Sequence, residues 1–206
     1  MEKSMTIVYR VHDNLYVNMT NRCSSSCVFC LRNTRDRMDQ EKGSLWLSHE
    51  PSVEEVKLAF EKEDMSQYRE VVFCGFGEPT ERFDDLLTIA AFVKERYQKP
   101  IRINTNGQGN LINKRDIVPE MKGLVDVISI SLNTPNEDRY HELVRSRFGD
   151  QAFQAMLDFA KEAKEYVPQV ILSTVETTIT KEEEKECQKI CDDLGVTYRI
   201  REFEEN

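Results

Sequence analysis

Short runs of apolar and β-branched residues recur along the chain, each followed by a stretch whose apolar positions return every three or four residues. The runs predict strands at 70–74, 101–105, 125–132, 170–175 and 196–200, since a strand buried on both faces needs apolar side chains at consecutive positions. The longer stretches predict helices. Ser52 precedes Glu54-Glu55, and apolar Val53, Val56 and Phe60 recur at helical spacing, so that a serine N-cap has a glutamate three residues on, a capping-box pattern. Leu86, Leu87, Ala90, Ala91 and Val93 mark the inner side of a helix over 83–97. A partly polar helix is expected over 114–121, and others over 136–143 and 152–165 around a break at Phe148-Gly149-Asp150. The last runs from a Thr180 cap to Leu194, where Gly195 supplies the stop. Ahead of them, 5–11 and 15–20 read as a hairpin about His12-Asp13-Asn14, its second run opening the main fold.

Each crossover is long enough to hold a helix, which marks parallel βα units. Six such units are too few for a closed eight-unit barrel of about 250 residues. A partial barrel and a doubly wound open sheet fit this periodicity equally well. No linker or shift in composition divides the 206 residues, so 1–206 reads as one α/β domain around one core.

Charge and composition narrow the classes. A formal charge of −9 favours solubility and speaks against a broad nucleic-acid footprint. No apolar run approaches the roughly 18 residues of a membrane span, and the N-terminus lacks the apolar core of a secretory signal. The six cysteines are unevenly spaced, which fits a reducing cytoplasm better than a disulfide framework. Three scattered histidines give little support to a metal-dependent hydrolase.

Three of those cysteines stand together in Cys23-Ser24-Ser25-Ser26-Cys27-Val28-Phe29-Cys30. This spacing can set three thiolates on one side of a tight loop, as iron–sulfur clusters require. Zinc can use the same thiolates, although a structural zinc usually takes four protein ligands and the nearest histidines, His12 and His49, are distant in sequence. Three unligated thiols are the remaining reading.

In parallel α/β folds ligands gather at the carboxyl ends of the strands, where this chain places its informative polar residues. After 70–74 comes Gly75-Phe76-Gly77-Glu78-Pro79: the glycines allow close backbone approach to a ligand, Glu78 can accept hydrogen bonds from an ammonium, and Pro79 fixes the exit. An ordinary tight turn with a solvent-facing glutamate is the alternative. Alternation puts Asn104 and Asn106 on one face with Arg102, where they can hold a carboxylate or ribose, and Thr105 on the other; an Asn-Gly turn competes for Asn106. Ser129, Ser131 and Asn133 repeat on one face of the next strand and need partners there. Of Tyr198, Arg199 and Arg201, the last is taken as the lumen residue. Cys187 and Cys191 read as small packing residues and Cys74 as the buried end of a strand. His141 is a weaker substrate candidate. Arg32, Arg35 and Arg37 follow the cysteine loop; they either face an anionic substrate or belong to a solvated loop, and the stretch through Gln40, Gly43 and Trp46 is expected to wall the substrate mouth.

The three cysteines, with aromatic Phe29 before the last, resemble the signature of the radical S-adenosylmethionine (radical SAM) superfamily. Gly75-Phe76-Gly77-Glu78-Pro79 is similar to its Gly-Gly-Glu-Pro stretch, with Phe76 departing from the second glycine. Thr105-Asn106-Gly107 also recurs in similar proteins, and Ser131 and Asn133, with Ser129, match the ribose-contact motif. The words Asn18-Met19-Thr20-Asn21-Arg22 and Leu31-Arg32-Asn33 look most like the TatD-associated radical SAM family.

The resemblance implies a partial open (β/α)6 TIM-like barrel with a short N-terminal hairpin. It implies that Cys23, Cys27 and Cys30 hold a four-iron, four-sulfur (4Fe-4S) cluster whose open iron chelates S-adenosylmethionine. The remaining cofactor contacts would be Phe29, Gly75, Gly77, Glu78, Pro79, Asn104, Asn106, Ser129, Ser131, Asn133, Thr174 on the adenosine side, and Arg201. The implied reaction is reductive cleavage to methionine and a 5′-deoxyadenosyl radical that abstracts hydrogen from an unidentified substrate, an anionic one among the candidates. An external one-electron donor such as flavodoxin or ferredoxin and an association with a TatD-type nuclease are implied with it. The competing class is an iron–sulfur or S-adenosylmethionine binding protein without turnover.

Overall fold

The computed structural model describes residues 5–34 and 44–202. Its sheet has seven strands in sequential order. β1 (Val8–Val11) and β2 (Asn14–Val17) form an antiparallel hairpin, turned by His12 at φ 52°. Parallel to β2 follow β3 (Val71–Phe73), β4 (Ile101–Thr105), β5 (Val127–Ser131), β6 (Gln169–Val175) and β7 (Thr197–Arg201). β1 and β7 are the two edges and do not pair. The sheet is therefore an open partial barrel of six parallel strands plus a hairpin, the architecture expected.

The crossovers carry α1 (Leu31–Thr34), α2 (Val53–Glu61), α3 (Phe83–Tyr97), α4 (Gly109–Asn113), α5 (Glu137–Val144), α6 (Gln151–Ala163) and α7 (Lys181–Leu194). Ser52 and Thr180 close capping boxes with Glu55 and Glu183, so two orphan donors at each helix start are satisfied by side chains. Gly195 ends α7 in the left-handed region at φ 67°. One expected element is different. In place of a helix over 114–121, α4 ends earlier at Lys114, in the left-handed region, and a separate 3-10 turn spans Pro119–Met121. The Asn110 side chain accepts from the Ile117 amide at 2.9 Å, which holds the intervening chain as a loop while Ile117, Val118 and Met121 are buried.

Strand alternation gives the sheet two unlike faces. Leu15, Val17, Val71, Phe73, Ile101, Ile103, Ile128, Ile130, Val170 and Leu172 join the helices in one apolar core. The opposite, concave face carries Tyr16, Val72, Arg102, Asn104, Ser129 and Ser173 and lines the lumen. Thr174 shares a face with Val170 and Leu172. It is fully buried and hydrogen-bonds the Tyr198 hydroxyl at 2.7 Å, against the helix layer. The expected adenosine contact through Thr174 is thus corrected by the two-residue period of β6. Cys74, by the same alternation from Val72, lies on the lumen side and is not part of the apolar core. Cys187 and Cys191 are buried in that core, as packing residues. A smaller cluster of Tyr9, Leu45 and Phe76 covers the rim, and Trp46 stacks edge-on against Phe76 at 5.3 Å. Among the described residues no helix is long and apolar enough to cross a membrane.

Candidate cofactor site

The cysteine loop leaves the carboxyl end of β2 and is held by backbone bonds to the end of α5. Ser26 N donates to Val144 O at 3.0 Å, Val28 N to Leu143 O at 2.9 Å, and Arg147 N to Ser24 O at 2.8 Å. Beneath the loop sits Gln108, 1% exposed. Its Oε1 accepts from Ser24 Oγ at 2.9 Å and from Ser146 Oγ at 2.7 Å; its Nε2 donates to Tyr140 OH at 3.2 Å. Asn106 Nδ2 donates to Ser24 Oγ at 2.8 Å, while Asn106 Oδ1 accepts from Gln108 N at 2.9 Å. Asn106 therefore braces the loop through its own side chain. Arg32 does the same, donating to Ser25 O at 3.1 Å; Arg35, Arg37, Gln40 and Gly43 lie outside the described residues.

Cys23, Cys27 and Cys30 are half-buried thiols. Burial pushes Cys23 up to about 11, helped by the Glu78 carboxylate. It pushes Cys27 up to about 12, with Cys30 and Cys23 adding to the shift. Metal binding would release the protons that burial holds on these thiols. Among the described residues no three His, Cys, Asp or Glu side chains converge on a single-ion site, as zinc would require. A cubane makes a different demand, because each thiolate there binds a different iron.

The turn after β3 is organised by packing rather than by an open approach. A Cβ on Gly75 would fall on the Asn18 side chain, and one on Gly77 would fall on the Thr20 carbonyl and within 2.7 Å of Arg22 O. The two glycines thus let this turn lie against the chain leaving β2. Glu78 is also placed otherwise than the sequence suggested. It is 4% exposed. Its Oε1 accepts from Thr80 N at 3.1 Å, Thr80 Oγ1 at 2.7 Å and Thr105 Oγ1 at 2.7 Å. Its Oε2 accepts from Asn106 N at 2.8 Å. Burial raises its pKa while these four donors oppose the rise. The carboxylate ties the end of β3 to the end of β4, and Pro79 opens the 3-10 turn Pro79–Arg82 that it caps.

The lumen wall is less complete. Asn104 Oδ1, Asn133 Oδ1, Arg102 Nε and Arg201 Nε are buried and have no hydrogen-bond partner. Asn133 stands at φ 66°, and the Thr134 amide closes a tight turn around it to Leu132 O at 2.8 Å. Ser129 and Ser131 precede it on the same face of β5. Phe29 packs partly buried against the main core. His141 stands apart from this group, with Nε2 3.9 Å from Glu137 and 3.8 Å from Asp150.

Comparison with known proteins decides the family. The model of the radical SAM superfamily matches residues 17–194. The chain belongs to the radical SAM superfamily. It is 29% identical over 158 residues to the GTP 3′,8-cyclase of Listeria welshimeri and 28% identical to that of Listeria monocytogenes. Each alignment covers 76% of this chain and 43% of the relative, so the chain spans less than half the length of these curated relatives. Among solved structures, Streptococcus suis SuiB bound to the precursor peptide SuiA superposes with a TM-score of 0.68, covering 94% of this chain and 40% of SuiB at 16% identity. Methylornithine synthase (PylB) gives 0.63, covering 93% of this chain and 53% of PylB at 17% identity. At such identities these two structures share the fold.

Radical SAM enzymes take a 4Fe-4S cluster and S-adenosylmethionine as cofactors, and this chain carries their domain. Its residues fit both groups. The thiol loop offers the donors of a cubane, and the unpartnered Asn133 Oδ1 beyond Ser129 and Ser131 offers what a polar nucleoside would bind. Asn18, Ser24, Gln108 and Tyr140 were missed as site residues from sequence. Asn18 is fully buried, its Nδ2 donating to Leu45 O at 2.8 Å. The one available signal was Gln108 standing two residues after Asn106, the spacing of an Asx-turn.

Proposed function

We propose that the chain reductively cleaves S-adenosylmethionine and abstracts hydrogen from an unidentified substrate, with Cys23, Cys27 and Cys30 as the cluster ligands. The carrying observation is the three-thiol loop pinned above a lumen whose wall holds unpartnered buried polar atoms. When bound, the two cofactors supply one-electron chemistry leading to hydrogen-atom abstraction. The chain's own work is placement. Gln108, Asn106 and Arg32 hold the cysteine loop. Glu78 fixes the turn 75–79, leaving Gly75 and Gly77 to meet the methionine end through their backbones beside Pro79. Ser129, Ser131 and Asn133 would face the ribose, with Asn104 on the neighbouring strand, and Phe29 would screen the loop from water. No general base is needed for the first step.

The reading extends to a reducing cytoplasm and to a small one-electron carrier, flavodoxin or ferredoxin in kind, because superfamily members need an external donor. The finer assignment to the TatD-associated family rests on the words around the cysteines, 18–22 and 31–33. A link to a TatD-type nuclease would follow from that assignment alone.

Anaerobic reconstitution tests the core of the reading. About four irons and four sulfides per chain are expected, and added S-adenosylmethionine should change the electron paramagnetic resonance spectrum of the reduced cluster. Cys27→Ala should lose the redox-active cluster, while Cys187→Ala, in the apolar core, should keep it. Full cluster content in Cys27→Ala would overturn the ligand assignment.

A further inference from the structure

The lumen face of the sheet carries three arginines, Arg102, Arg199 and Arg201. Arg102 projects inward from β4, its side chain 12% exposed. Its Nη2 lies 2.9 Å from Glu70 and 3.4 Å from the Tyr16 hydroxyl. Glu70 offsets that charge, yet Nε of the same guanidinium is buried and unpartnered. β7 brings two more arginines. Tyr198 turns outward to Thr174, so Arg199 and Arg201 turn inward. Arg201 Nε is buried without a partner, and among the described residues no carboxylate pairs with Arg199 or Arg201. Burial pulls the Arg201 pKa down, against the influence of Cys74, Cys27 and Tyr16. Burial raises the Cys74 pKa, while the Asn104 side chain, Arg201 and Arg102 pull it down. Arg102 and Arg201 therefore share the lumen face of the sheet, one on β4 and one on β7.

Their chemistry selects a ligand class. A guanidinium is the side chain best suited to a carboxylate or phosphate, and a buried donor left unmade costs free energy until an acceptor arrives. Asn104 Oδ1, an orphan acceptor beside them, asks for an O–H or N–H. We propose that Arg201 and Arg102, with Asn104, form the substrate subsite of this lumen, and that it takes a small oxyanion, carboxylate or phosphate, with a neighbouring hydroxyl or amino group. The inference rests on the cofactor reading above, since that reading is what brings radical chemistry to this lumen. An anion there is also consistent with an acidic protein, because local field and not net charge governs a buried pocket.

Two probes carry the intended chemistry, glycerol phosphate and lactate. Each is added to the cluster-loaded, oxidised protein under saturating S-adenosylmethionine, and binding is followed by saturation-transfer NMR. The same samples are assayed for iron, sulfide and S-adenosylmethionine affinity. At least one probe should bind the wild type. Arg201→Gln should weaken it tenfold or more, with a smaller loss of S-adenosylmethionine affinity. Arg201→Lys keeps the charge without the fork and should recover part of the binding, so it stands in if the glutamine variant folds poorly. Arg69→Gln, an exposed arginine paired with Asp13, should match the wild type. The proposal falls if neither probe binds, or if Arg201→Gln binds like wild type. It also falls if S-adenosylmethionine displaces the probes and its own affinity drops as steeply in Arg201→Gln, for the guanidinium would then serve the cofactor's carboxylate. A wild type without cluster or S-adenosylmethionine binding, yet with Arg201-dependent probe binding, would keep the anion site and overturn the cofactor reading and the substrate role.

Discussion

Two polar regions lie side by side at the carboxyl ends of these strands, and they are built on opposite terms. At the junction of the cysteine loop with β3 and β4, Ser24, Glu78, Thr105, Asn106 and Gln108 bond one another. Along the inner wall, Arg102, Asn104, Asn133 and Arg201 each leave a buried atom unmade. An unmade buried donor or acceptor costs about 1–3 kcal/mol, so the wall tolerates a penalty that these five junction residues avoid. The difference separates scaffold from binding surface. Groups already satisfied within the chain cannot gain much from a ligand, whereas the wall gains from whatever completes it.

The comparison is most sharply tested where the junction has no room. Gly77→Ala drives a methyl into the Thr20 carbonyl and towards Arg22 O, both backbone atoms that cannot rotate away. The loss of stability should be about 3 kcal/mol or more, beyond ordinary overpacking. Gly123→Ala is the control, at φ +77° with open space around its Cβ position, and should cost only about 1 kcal/mol in strain. Urea denaturation of the cluster-free protein measures both. Equal losses would mean that the turn after β3 can open.

Next in size is Glu78→Gln. The amide keeps the shape but turns one acceptor into a donor, facing either the three donors at Oε1 or the Asn106 amide at Oε2. A cost of about 2 kcal/mol is expected, and it should appear in the cluster-free protein before any S-adenosylmethionine is added. If stability is unchanged and only cofactor affinity falls, Glu78 belongs with the wall after all.

These two residues also mark what sequence could and could not reveal. The helix over 83–97 and the strand over 101–105 were legible to the residue, because long apolar periodicity admits few other foldings. The cysteine loop stands out in the sequence because a ligand reading of it depends on local spacing alone. Glu78 and Gly77 were recognisable as important from the words around them, but their direction was not, since it depends on chain segments brought in from elsewhere. Gln108 was missed for the same reason: its partner Ser24 lies 84 positions away. Thr174 was misread because a polar residue near a strand end resembles a ligand contact until the register fixes its face.

Gln108→Leu asks whether the junction is one unit. The change leaves Ser24 and Ser146 without their shared acceptor, at a cost of about 1–2 kcal/mol. The loss should be local as well. Amides of Ser26 and Val28, which bond to Val144 and Leu143 across the loop, should exchange with deuterium faster than in wild type, while those of β5 and β6 keep their protection. Unchanged exchange at Ser26 and Val28 would show that backbone bonds to α5 alone hold the cysteines.

The smallest effect is expected at Thr174. Its hydroxyl meets only Tyr198 at 2.7 Å, on the face that carries Val170 and Leu172 into the helix layer. Thr174→Val removes that bond and leaves the Tyr198 oxygen on a half-buried ring near the sheet edge, where water can replace the lost partner. Stability should fall by less than about 1 kcal/mol, and S-adenosylmethionine affinity should stay within twofold of wild type. Ser131→Ala provides the contrast, because Ser131 stands one strand over on the lumen face. It should cost more in cofactor affinity than in stability, the reverse of Thr174→Val. Titrating the electron paramagnetic resonance signal of the reduced cluster with S-adenosylmethionine reads both variants on one scale. A tenfold loss of affinity in Thr174→Val with none in Ser131→Ala would exchange the two faces of the sheet, and with them the division between a self-sufficient scaffold and a wall that waits for its ligand.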